Sequence, residues 1–364
     1  MKFYEGPNIF DAHALGAGDC EHSTASGFFN QPGWYKLVAQ HGLATGAQTV
    51  LAVDHSDQLA LACCRTRGGR ELRSCTNLYT CEFDLMGGRE NTLAVRTFAR
   101  DVVSLIWPLD YLRLEGLDPM AAHFTALLDG MRSAGFHVRP YLGWITRFEH
   151  TCGTDFDQYL SGRPSILRNT WRRKQTRLKG VSSTFYTSYE RQKDEEDFIP
   201  VYQSVREGSW KGAEPFTAFV LELIRLAARM GALRFGILEI DGVPAAAQFW
   251  IVWSGKATIF KLVYAEQFSA FSPGTLLTMH MMEKALEFDK PVEINFGRGD
   301  DAYKKMWLSE RRERWGIEAA NPRSWRGLAR CVWLRAGTIR HRIAAGNSVV
   351  SKAARDGGSR PRLT

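Results

Sequence analysis

The segment between residues 257 and 307 constrains the fold most. Its first apolar run, Ala257–Tyr264, has the length and composition of a buried strand, and so does a second run, Val292–Phe296. Between them, Leu276–Phe288 has the spacing of an amphipathic helix. The segment therefore predicts two strands joined by a helix, which is typical of proteins that mix helices with a sheet.

The start of that helix predicts an anion site. Ser272 is a favourable N-cap because its hydroxyl can accept a bond from a free N–H of the first turn, and Pro273 suits the first helical position. Gly274 removes a side chain where a ligand would approach the backbone. A strand that leads into a positively polarised helix start can hold a pyrophosphate, although a capped helix without any ligand explains the same residues.

The first 150 residues alternate between strand and helix patterns. Residues 1–26 are polar and rich in glycine and alanine, which predicts a loose lead-in. The predicted helices are Gly33–Gly42, Leu93–Ile106 and Pro119–Ala134, and the predicted strands are Thr49–Val53, Leu59–Cys64, Glu71–Phe83, Asp110–Glu115 and His137–Ile145. This order predicts an α/β or α+β fold with one mixed sheet.

A similar order of elements recurs from residue 156. Helices are predicted at Ile166–Lys179, Glu195–Val205 and Pro215–Arg229, and strands at Ser182–Tyr189, Leu233–Ile240 and Ala245–Trp253. The recurrence suggests a tandem duplication with a boundary near residues 148–158. The expected division is an N-terminal unit at 1–150, a C-terminal unit at 151–320 and a tail at 321–364.

The composition of the chain limits the cellular compartments in which we expect the protein. No stretch approaches the roughly 20 apolar residues that a spanning helix needs, and the N-terminus has no basic start followed by an apolar block. The seven cysteines are irregularly spaced, without the paired C-x-x-C pattern of a zinc site. We therefore expect reduced thiols, no metal and a cytoplasmic location.

The positive charge is concentrated in the tail. The formal net charge is +8, yet residues 321–364 contain ten Lys or Arg and one acidic residue. Apolar residues from Trp325 to Ala345 have helical spacing with arginines between them, and the chain from about Asn347 is expected to be disordered. The tail helix is suited to an anionic membrane surface, to the protein's own body or to RNA.

Several short motifs together resemble a known superfamily. They are the strand–helix–strand segment above, the basic stretch 168–174, the Ser209-Trp210 pair and the hairpin Leu233–Val252, with a weaker echo at Phe28–Trp34. Their order over residues 155–320 resembles the GNAT acyltransferases, in the variant linked to cellulose and exopolysaccharide biosynthesis (the CelD-type acetyltransferases), which is distantly related to the FemAB peptidyltransferases. The resemblance implies two tandem GNAT-like folds, the second catalytic and the first degenerate.

The resemblance also implies a donor site. The backbone at Ser272, Gly274 and Thr275, with the strand end Leu262, Val263 and Tyr264, would hold acetyl-CoA or another acyl-CoA. The Ser-Pro-Gly form departs from the usual glycine-rich sequence of the superfamily. FemAB relatives use aminoacyl-tRNA, so this donor is the alternative.

Three residues are candidate catalytic groups. Tyr303 matches the tyrosine that protonates the leaving thiolate in many GNAT enzymes, although packing at a helix start also explains it. Asp300 and Glu266 are candidate bases, with helix capping and a loop carboxylate as the plainer interpretations.

The predicted acceptor site is basic. Arg298 and Lys304 could hold an anionic acceptor, and Trp210 could line its cleft; solvated charges and a core indole are the alternatives. Six basic residues at 168–179 suit phosphates or an acidic glycan, or simply form a solvated face.

These features support three hypotheses. The first is an acyl-CoA-dependent N- or O-acyltransferase, acting without metal on a sugar, nucleotide-sugar or lipid-linked precursor in exopolysaccharide or envelope biosynthesis. The second is a FemAB-like transferase using charged tRNA, the only nucleic acid expected as a partner. The third is a non-catalytic GNAT-fold accessory protein at the inner membrane, held peripherally by its basic tail.

Overall fold

The computed structural model describes residues 1–6, 8–10, 27–56, 58–66, 69–106, 108–190 and 194–335. In these ranges, thirteen strands form one mixed sheet flanked by helices, so the predicted α/β class is confirmed. The strands are β1 (Lys2–Glu5), β2 (Ala47–Val53), β3 (Leu59–Thr66), β4 (Glu71–Ser74), β5 (Met86–Gly87), β6 (Tyr111–Leu117), β7 (His137–His150), β8 (Ser183–Thr187), β9 (Leu233–Ile240), β10 (Val243–Trp253), β11 (Lys256–Tyr264), β12 (Glu293–Arg298) and β13 (Glu310–Ala320).

The helices lie on both faces of this sheet. They are α1 (Pro32–Leu37), α2 (Thr92–Leu105), α3 (Ala122–Ser133), α4 (Phe156–Ser161), α5 (Ser165–Leu178), α6 (Glu195–Glu207), α7 (Thr217–Arg229), α8 (Pro273–Lys284), α9 (Ala302–Trp307) and α10, which covers residues 325–335. Among the described residues, no helix is both long and apolar enough to cross a membrane.

The same parallel unit occurs twice in the sheet. Strands β4 and β6 pair in parallel across α2, and β11 and β12 pair in parallel across α8. Each pair is joined at only three positions. This recurrence is what a tandem of two related units produces, while the predicted unit boundaries near residues 150 and 320 stay predictions.

The last strand of each half of the chain is inserted into the part of the sheet formed by the other half. The sheet order is β1-β2-β3-β4-β6-β13-β7-β12-β11-β10-β9-β8, with β5 beside β3. Strand β7 follows β6 in the chain but pairs with β12, and β13 follows β12 but pairs with β6. The two exchanged strands pair with each other over most of their length. The exchange joins both halves into one continuous sheet.

Both faces of the sheet are buried. Neighbouring residues of β10 show this, because successive side chains of a strand point to opposite faces. Phe249 packs with Phe198 and Phe260 on the face covered by α6, whereas Trp250 lies in the cluster with Leu277 of α8. Each fully buried aromatic side chain contributes about 1.5–3 kcal/mol to folding.

The structure corrects two sequence predictions. The strand predicted over Glu71–Phe83 ends at Ser74, and the chain then turns across the sheet face, with the Thr80 amide donating to the Asn77 carbonyl. The helix at 276–288 is not amphipathic along its first three turns. Leu276, Leu277, Met279, Met281 and Met282 are all buried because α8 packs between the sheet and α5.

The ends of the chain are described in part. Residues 2–5 of the predicted loose lead-in form β1, which pairs with β2, while 11–26 lie outside the described residues. The predicted tail helix is present over 325–335. Its continuation to Ala345, and the disorder predicted from Asn347, also lie outside the described residues.

Candidate active site

Two diverging strands open a cleft in the middle of the C-terminal half. Strands β11 and β12 pair from Lys256–Glu293 to Thr258–Asn295, and beyond that point β12 bonds to β7 alone. The opening, which we call the strand cleft, has a volume of about 350 Å³. It is lined by Leu78, Tyr79, Cys81, Lys211, Ile259, Phe260, Lys261, Leu262, Phe296, Gly297, Arg298, Tyr303 and Lys304.

The lining of the strand cleft is basic. Lys261 and Lys304 are largely buried, and burial lowers the pKa of each ammonium. Lys304 donates to the Arg298 carbonyl, and Lys211 on the rim donates to the Leu262 carbonyl at 2.6 Å. With four cations in its lining, the cleft favours anionic ligands.

One carboxylate positions Lys261. Both oxygens of Glu214 accept from Lys261 Nζ at 3.0 Å, and the Tyr79 hydroxyl donates to the same carboxylate. Lys261 also lies over the Tyr79 ring, 4.3 Å from its centre. Burial alone would raise the pKa of Glu214, but the contacts with Tyr79 and Lys261 lower it. Glu214 is therefore an ionised partner that fixes the lysine.

Arg298 is held by residues of the N-terminal half. Its guanidinium lies over the Trp144 ring, 3.6 Å from the centre, and Nε donates to the Thr80 carbonyl at 2.6 Å. Its Nη2 atom is buried and has no hydrogen-bond partner among the described residues. Because a buried donor without a partner is costly, this atom is suited to an anionic ligand.

Tyr303 forms the floor of the cleft on α9. Burial raises the pKa of its hydroxyl, the nearby Thr278 and Trp307 lower it, and the result is about 12. The oxygen is buried without a well-formed hydrogen bond. Beside it, Thr278 contacts Gln248 at 3.2 Å, and the Gln248 Nε2 atom has no partner in the described chain. Tyr303 thus stays a phenol at neutral pH, with a proton to donate.

The start of α8 differs from the predicted cap. Ser272 is at the N-cap but has a φ of +54°, and its hydroxyl makes no capping bond, so that prediction was wrong. Pro273 occupies the first helical turn as predicted. A Cβ at Gly274 would lie 3.2 Å from Leu262 Cδ2 and 3.5 Å from Tyr264 Cδ1. The glycine therefore allows close packing of the helix start on β11.

Two cations of α5 reach the loop before α8. Lys174 Nζ donates to the Ala270 carbonyl at 2.5 Å, and Arg177 Nη1 donates to the same atom at 3.3 Å. Arg177 also lies over the Phe271 ring. The basic stretch at 168–179 is therefore partly directed at the predicted anion site.

The other predicted catalytic carboxylates lie outside the strand cleft. Glu266 is exposed just after β11. Asp300 accepts from Arg147 Nε at 2.5 Å, which together with Lys305 lowers its pKa and makes it a weak base. Asp301 caps α9 by accepting from the Lys304 amide.

Of the predicted binding residues, some line the strand cleft and others lie outside it. Leu262, Arg298 and Lys304 line the cleft, whereas Val263 is buried in the core on the α6 face. Trp210 is 63% exposed beside the cleft residue Lys211. Tyr264 and Thr275 lie near the start of α8, outside the described lining.

Sequence reasoning missed the residues that complete the cleft. Tyr79, Cys81 and Trp144 come from the N-terminal half, and Glu214 from the loop after α6. A signal existed for Lys261, because a single lysine inside an apolar strand is unusual. No metal-like group of three or more His, Cys, Asp or Glu side chains occurs in the ranges the structure describes.

A family model matches much of the C-terminal half of the chain. Residues 165–305 match the family model of an acetyltransferase (GNAT) domain. No curated protein matches the chain. Residues 165–305 thus match a GNAT acetyltransferase domain, and the class of protein that the fold and this domain define is an acyltransferase.

Solved structures share the fold over most of the chain. The crystal structure of FemX is 11% identical with a TM-score of 0.58, covering 87% of this chain and 97% of FemX. The C-terminal domain of a protein assigned as a lysylphosphatidylglycerol synthetase, from Agrobacterium fabrum, is 14% identical with a TM-score of 0.51, covering 84% and 91%. A Bacteroides thetaiotaomicron protein of unknown function is 10% identical with a TM-score of 0.52, covering 87% and 98%. At these identities the likeness concerns the fold alone.

Proposed function

We propose that the protein is an acyl-CoA-dependent N- or O-acyltransferase acting on a sugar, nucleotide-sugar or lipid-linked precursor in exopolysaccharide or envelope biosynthesis. The observation that carries the proposal is the strand cleft, which opens where two strands diverge and has Tyr303 of α9 in its lining, with the Tyr303 hydroxyl close to Thr278 of α8. The exopolysaccharide role rests on the sequence resemblance to CelD-type enzymes.

The start of α8 fits the pyrophosphate of acyl-CoA. A helix of twelve residues presents a positive dipole end there, and Lys174 and Arg177 lie beside the preceding loop. The pantetheine arm would enter the strand cleft between β11 and β12. The Tyr303 phenol would then protonate the sulfur that leaves when the acyl group is transferred.

The basic lining supports an anionic acceptor. Lys304, Arg298 and Lys261 surround the same opening, while Glu214 is already bound to Lys261. An anionic oxygen of either substrate would give the unpartnered Arg298 Nη2 a hydrogen-bond acceptor.

Calorimetric titration with acetyl-CoA tests the donor site. Wild type is compared with Arg177→Gln, which loses a contact beside α8, and with Arg172→Gln, an exposed arginine of the same helix. We expect binding by wild type and the control, and about tenfold weaker binding by Arg177→Gln. If no acyl-CoA gives a heat of binding, the proposal is overturned. Charged tRNA as the donor, or a non-catalytic accessory role, would then be favoured.

One observation favours an aminoacyl-tRNA donor as the second candidate. Arg172, Arg173 and Arg177 are exposed on α5 and Lys179 is exposed just after it. Arg177 reaches the loop before α8, and the FemX fold is similar. This surface suits a longer polyanion than CoA. Binding of charged tRNA should then weaken steeply with salt, at a slope that Arg172→Gln and Arg173→Gln reduce.

We also propose a peripheral contact with an anionic membrane through α10. Trp325, Leu328 and Val332 are 75%, 52% and 64% exposed on this helix. On its other side, Cys331 and Leu334 pack against the body of the protein. An exposed apolar stripe bordered by arginines has the pattern of a helix that lies in a membrane interface.

Vesicle flotation tests this contact. Wild type should float with phosphatidylglycerol-containing vesicles and not with neutral phosphatidylcholine vesicles. The double variant Trp325→Ala/Val332→Ala should lose flotation, whereas Leu93→Ala, which removes another exposed apolar side chain, should keep it. Equal flotation of both variants would overturn the proposal.

A further inference from the structure

A second, larger cavity lies beside the strand cleft. Its volume is about 540 Å³, and we call it the polar cavity. Its described lining is Gly27, Phe28, Phe29, Asn30, Cys81, Glu82, Phe83, Asp84, Arg89, Asp118, Ala121, His123, Thr146, Ile251, Trp253, Ser254, Lys256, Thr258, Glu293, Asn295, Arg312 and Arg314. Both halves of the chain contribute, so the cavity exists only in the joined sheet.

Four adjacent strands form the floor of the polar cavity. Lys256 of β11 pairs with Glu293 of β12, and Thr146 of β7 pairs with Arg312 of β13. Paired residues of neighbouring strands lie on one face, and Arg314 follows Arg312 by two residues, so these side chains share the floor. The exchange of β7 and β13 brings them together.

The charges of the cavity are balanced and interleaved. Glu82 contacts Arg314 at 2.9 Å and Lys256 at 3.8 Å, and Arg312 contacts Glu293 at 2.8 Å. The lining also includes two further aspartates and Arg89, which gives four carboxylates and four Lys or Arg side chains. Burial would raise the pKa of Glu82, but the neighbouring cations lower it, so the carboxylate is ionised.

Stability alone does not account for this lining. Buried ion pairs of this kind are often no more stable than an apolar filling of the same volume, because desolvation offsets the attraction. The cavity volume falls within the range of small-molecule sites. Interleaved charges of both signs are suited to a ligand that also carries both signs.

We infer that the polar cavity binds the acceptor, and that this acceptor carries an ammonium and an anionic group. The inference rests on the proposed function. Cys81 lines both the polar cavity and the strand cleft, and a Cβ at Gly297 would lie only 2.9 Å from its sulfur, so one side chain separates the two spaces. Glu82 would exchange part of its pairing with Arg314 and Lys256 for the ammonium. Glu293 and Arg312 would likewise exchange part of their mutual pair, the carboxylate for the ammonium and the guanidinium for a phosphate or carboxylate.

The reaction balances with this acceptor. Its nitrogen forms a bond to the acyl carbon, and the bond between that carbon and the sulfur of the thioester breaks. The ammonium loses two protons, one of which ends on the thiolate. An amide, a free thiol and one proton are the products.

Direct binding of matched small molecules tests the inference. Glucosamine 6-phosphate and L-alanine carry both charges, whereas glucose 6-phosphate lacks the ammonium and glucosamine lacks the anion. Each is titrated calorimetrically into the full chain without acyl-CoA. At least one doubly charged compound should bind, about tenfold more tightly than the singly charged ones. The comparison of the amino-sugar phosphate with the amino acid identifies the source of the two charges.

Two variants test whether the compounds bind in the polar cavity. Lys256→Gln and Asp118→Asn each remove one partly exposed charge of the lining, whereas Lys284→Gln removes a partly exposed lysine on α8. We expect about tenfold weaker binding for the first two and no change for the third. If no doubly charged compound binds, or if all three variants bind as wild type does, the inference is overturned. Binding at the cavity without any acyl-CoA binding would instead refute the proposed donor and leave the cavity assignment standing.

Discussion

At the residue scale, the buried phenol of Tyr303 is the group best placed to donate a proton in the strand cleft. Its pKa of about 12 keeps it protonated at neutral pH. We expect Tyr303→Phe to lower kcat about 10²-fold or more and to leave the Kd of acetyl-CoA unchanged, because the phenol acts on the leaving sulfur. Thiol release measured with the acceptor in excess checks this.

A second buried tyrosine provides the control. The hydroxyl of Tyr159 donates to the Trp307 carbonyl at 3.0 Å, outside the cleft lining. Tyr159→Phe should lower stability but keep kcat near the wild-type value. Wild-type turnover by Tyr303→Phe would remove that residue from the mechanism.

An ion pair between Glu149 and Arg163 should contribute to the acid sensitivity of the fold. Arg163 is 6% exposed, and both Glu149 oxygens accept from it, at 2.5 and 3.0 Å. Burial would raise the pKa of Glu149, but Arg163 and the Ser309 amide lower it. A lowered folded pKa means that the stabilisation is complete above the unfolded pKa of about 4.3 and is lost as pH falls through the folded pKa.

Urea denaturation at several pH values measures this pair. Glu149→Gln should lower the free energy of unfolding by about 3 kcal/mol at pH 7, since it leaves a buried guanidinium without its counterion. It should also flatten the pH dependence of stability below about pH 5. Glu222→Gln, which breaks an exposed pair with Arg225, should cost less than about 0.5 kcal/mol. Equal losses in both variants would contradict the argument.

Single residues of the site were predictable only where a local pattern marked them. Tyr303, Arg298 and Lys304 follow a strand within one short segment, and the structure places all three in the cleft lining. Glu214 carries no such mark, because its contact with Lys261 joins residues 47 positions apart. Pairings at that distance depend on the packing of α6 and β11, which periodicity does not reveal.

At the scale of elements, the chain contains a strained residue shortly after α8, where the helical segment Ala285–Asp289 ends. Lys290 has a φ of +46° and is exposed, and its amide donates to the Ala285 carbonyl at 2.9 Å. Glycine is preferred in this left-handed conformation. Lys290→Gly should therefore raise the free energy of unfolding by up to about 1 kcal/mol, as measured by urea denaturation.

The matched control lies about two turns earlier. Glu283 is exposed in the regular part of α8, where glycine costs about 1 kcal/mol relative to alanine. Glu283→Gly should thus shift stability in the opposite direction. A loss of stability in both variants would show that Lys290 makes a favourable contact that offsets its strain.

Element types followed from the sequence more securely than element ends. The strand–helix–strand order around α8 was predicted because strand-like and helical runs alternate sharply there. The cap predicted at Ser272 was wrong, because the residue has a left-handed backbone and its hydroxyl makes no capping bond. The same helix also appeared amphipathic, although α5 covers the side expected to face water.

At the scale of the whole molecule, the exchanged strands predict a single unfolding transition. Removing β13 would leave β6 and β7 without their shared partner. Fragments 1–150 and 151–364 should each fail to fold alone and should form a 1:1 complex when co-expressed. Calorimetry of the full chain should show one transition, with equal calorimetric and van't Hoff enthalpies. Two separate transitions, or a stable isolated fragment, would contradict this.

The sequence indicated two similar halves but not how they are joined. Repeated strand and helix patterns are local, and they predicted the α/β class. The pairing of β7 with β12 and of β13 with β6 spans more than a hundred residues, and either strand could satisfy its own pattern beside its own neighbour. The lining of the polar cavity depends on this exchange. Sequence patterns could therefore not predict it.

The exchange of β7 and β13 also bears on how such a chain can arise. If the two halves were separate, identical proteins, the same pairing would make a symmetric dimer in which each subunit lends its last strand to the other. Such a dimer dissociates on dilution. Joined in one polypeptide, its halves meet at a fixed effective concentration, and one copy is free to lose a catalytic residue while the other keeps it. The present chain has the topology expected from the fusion of a swapped dimer.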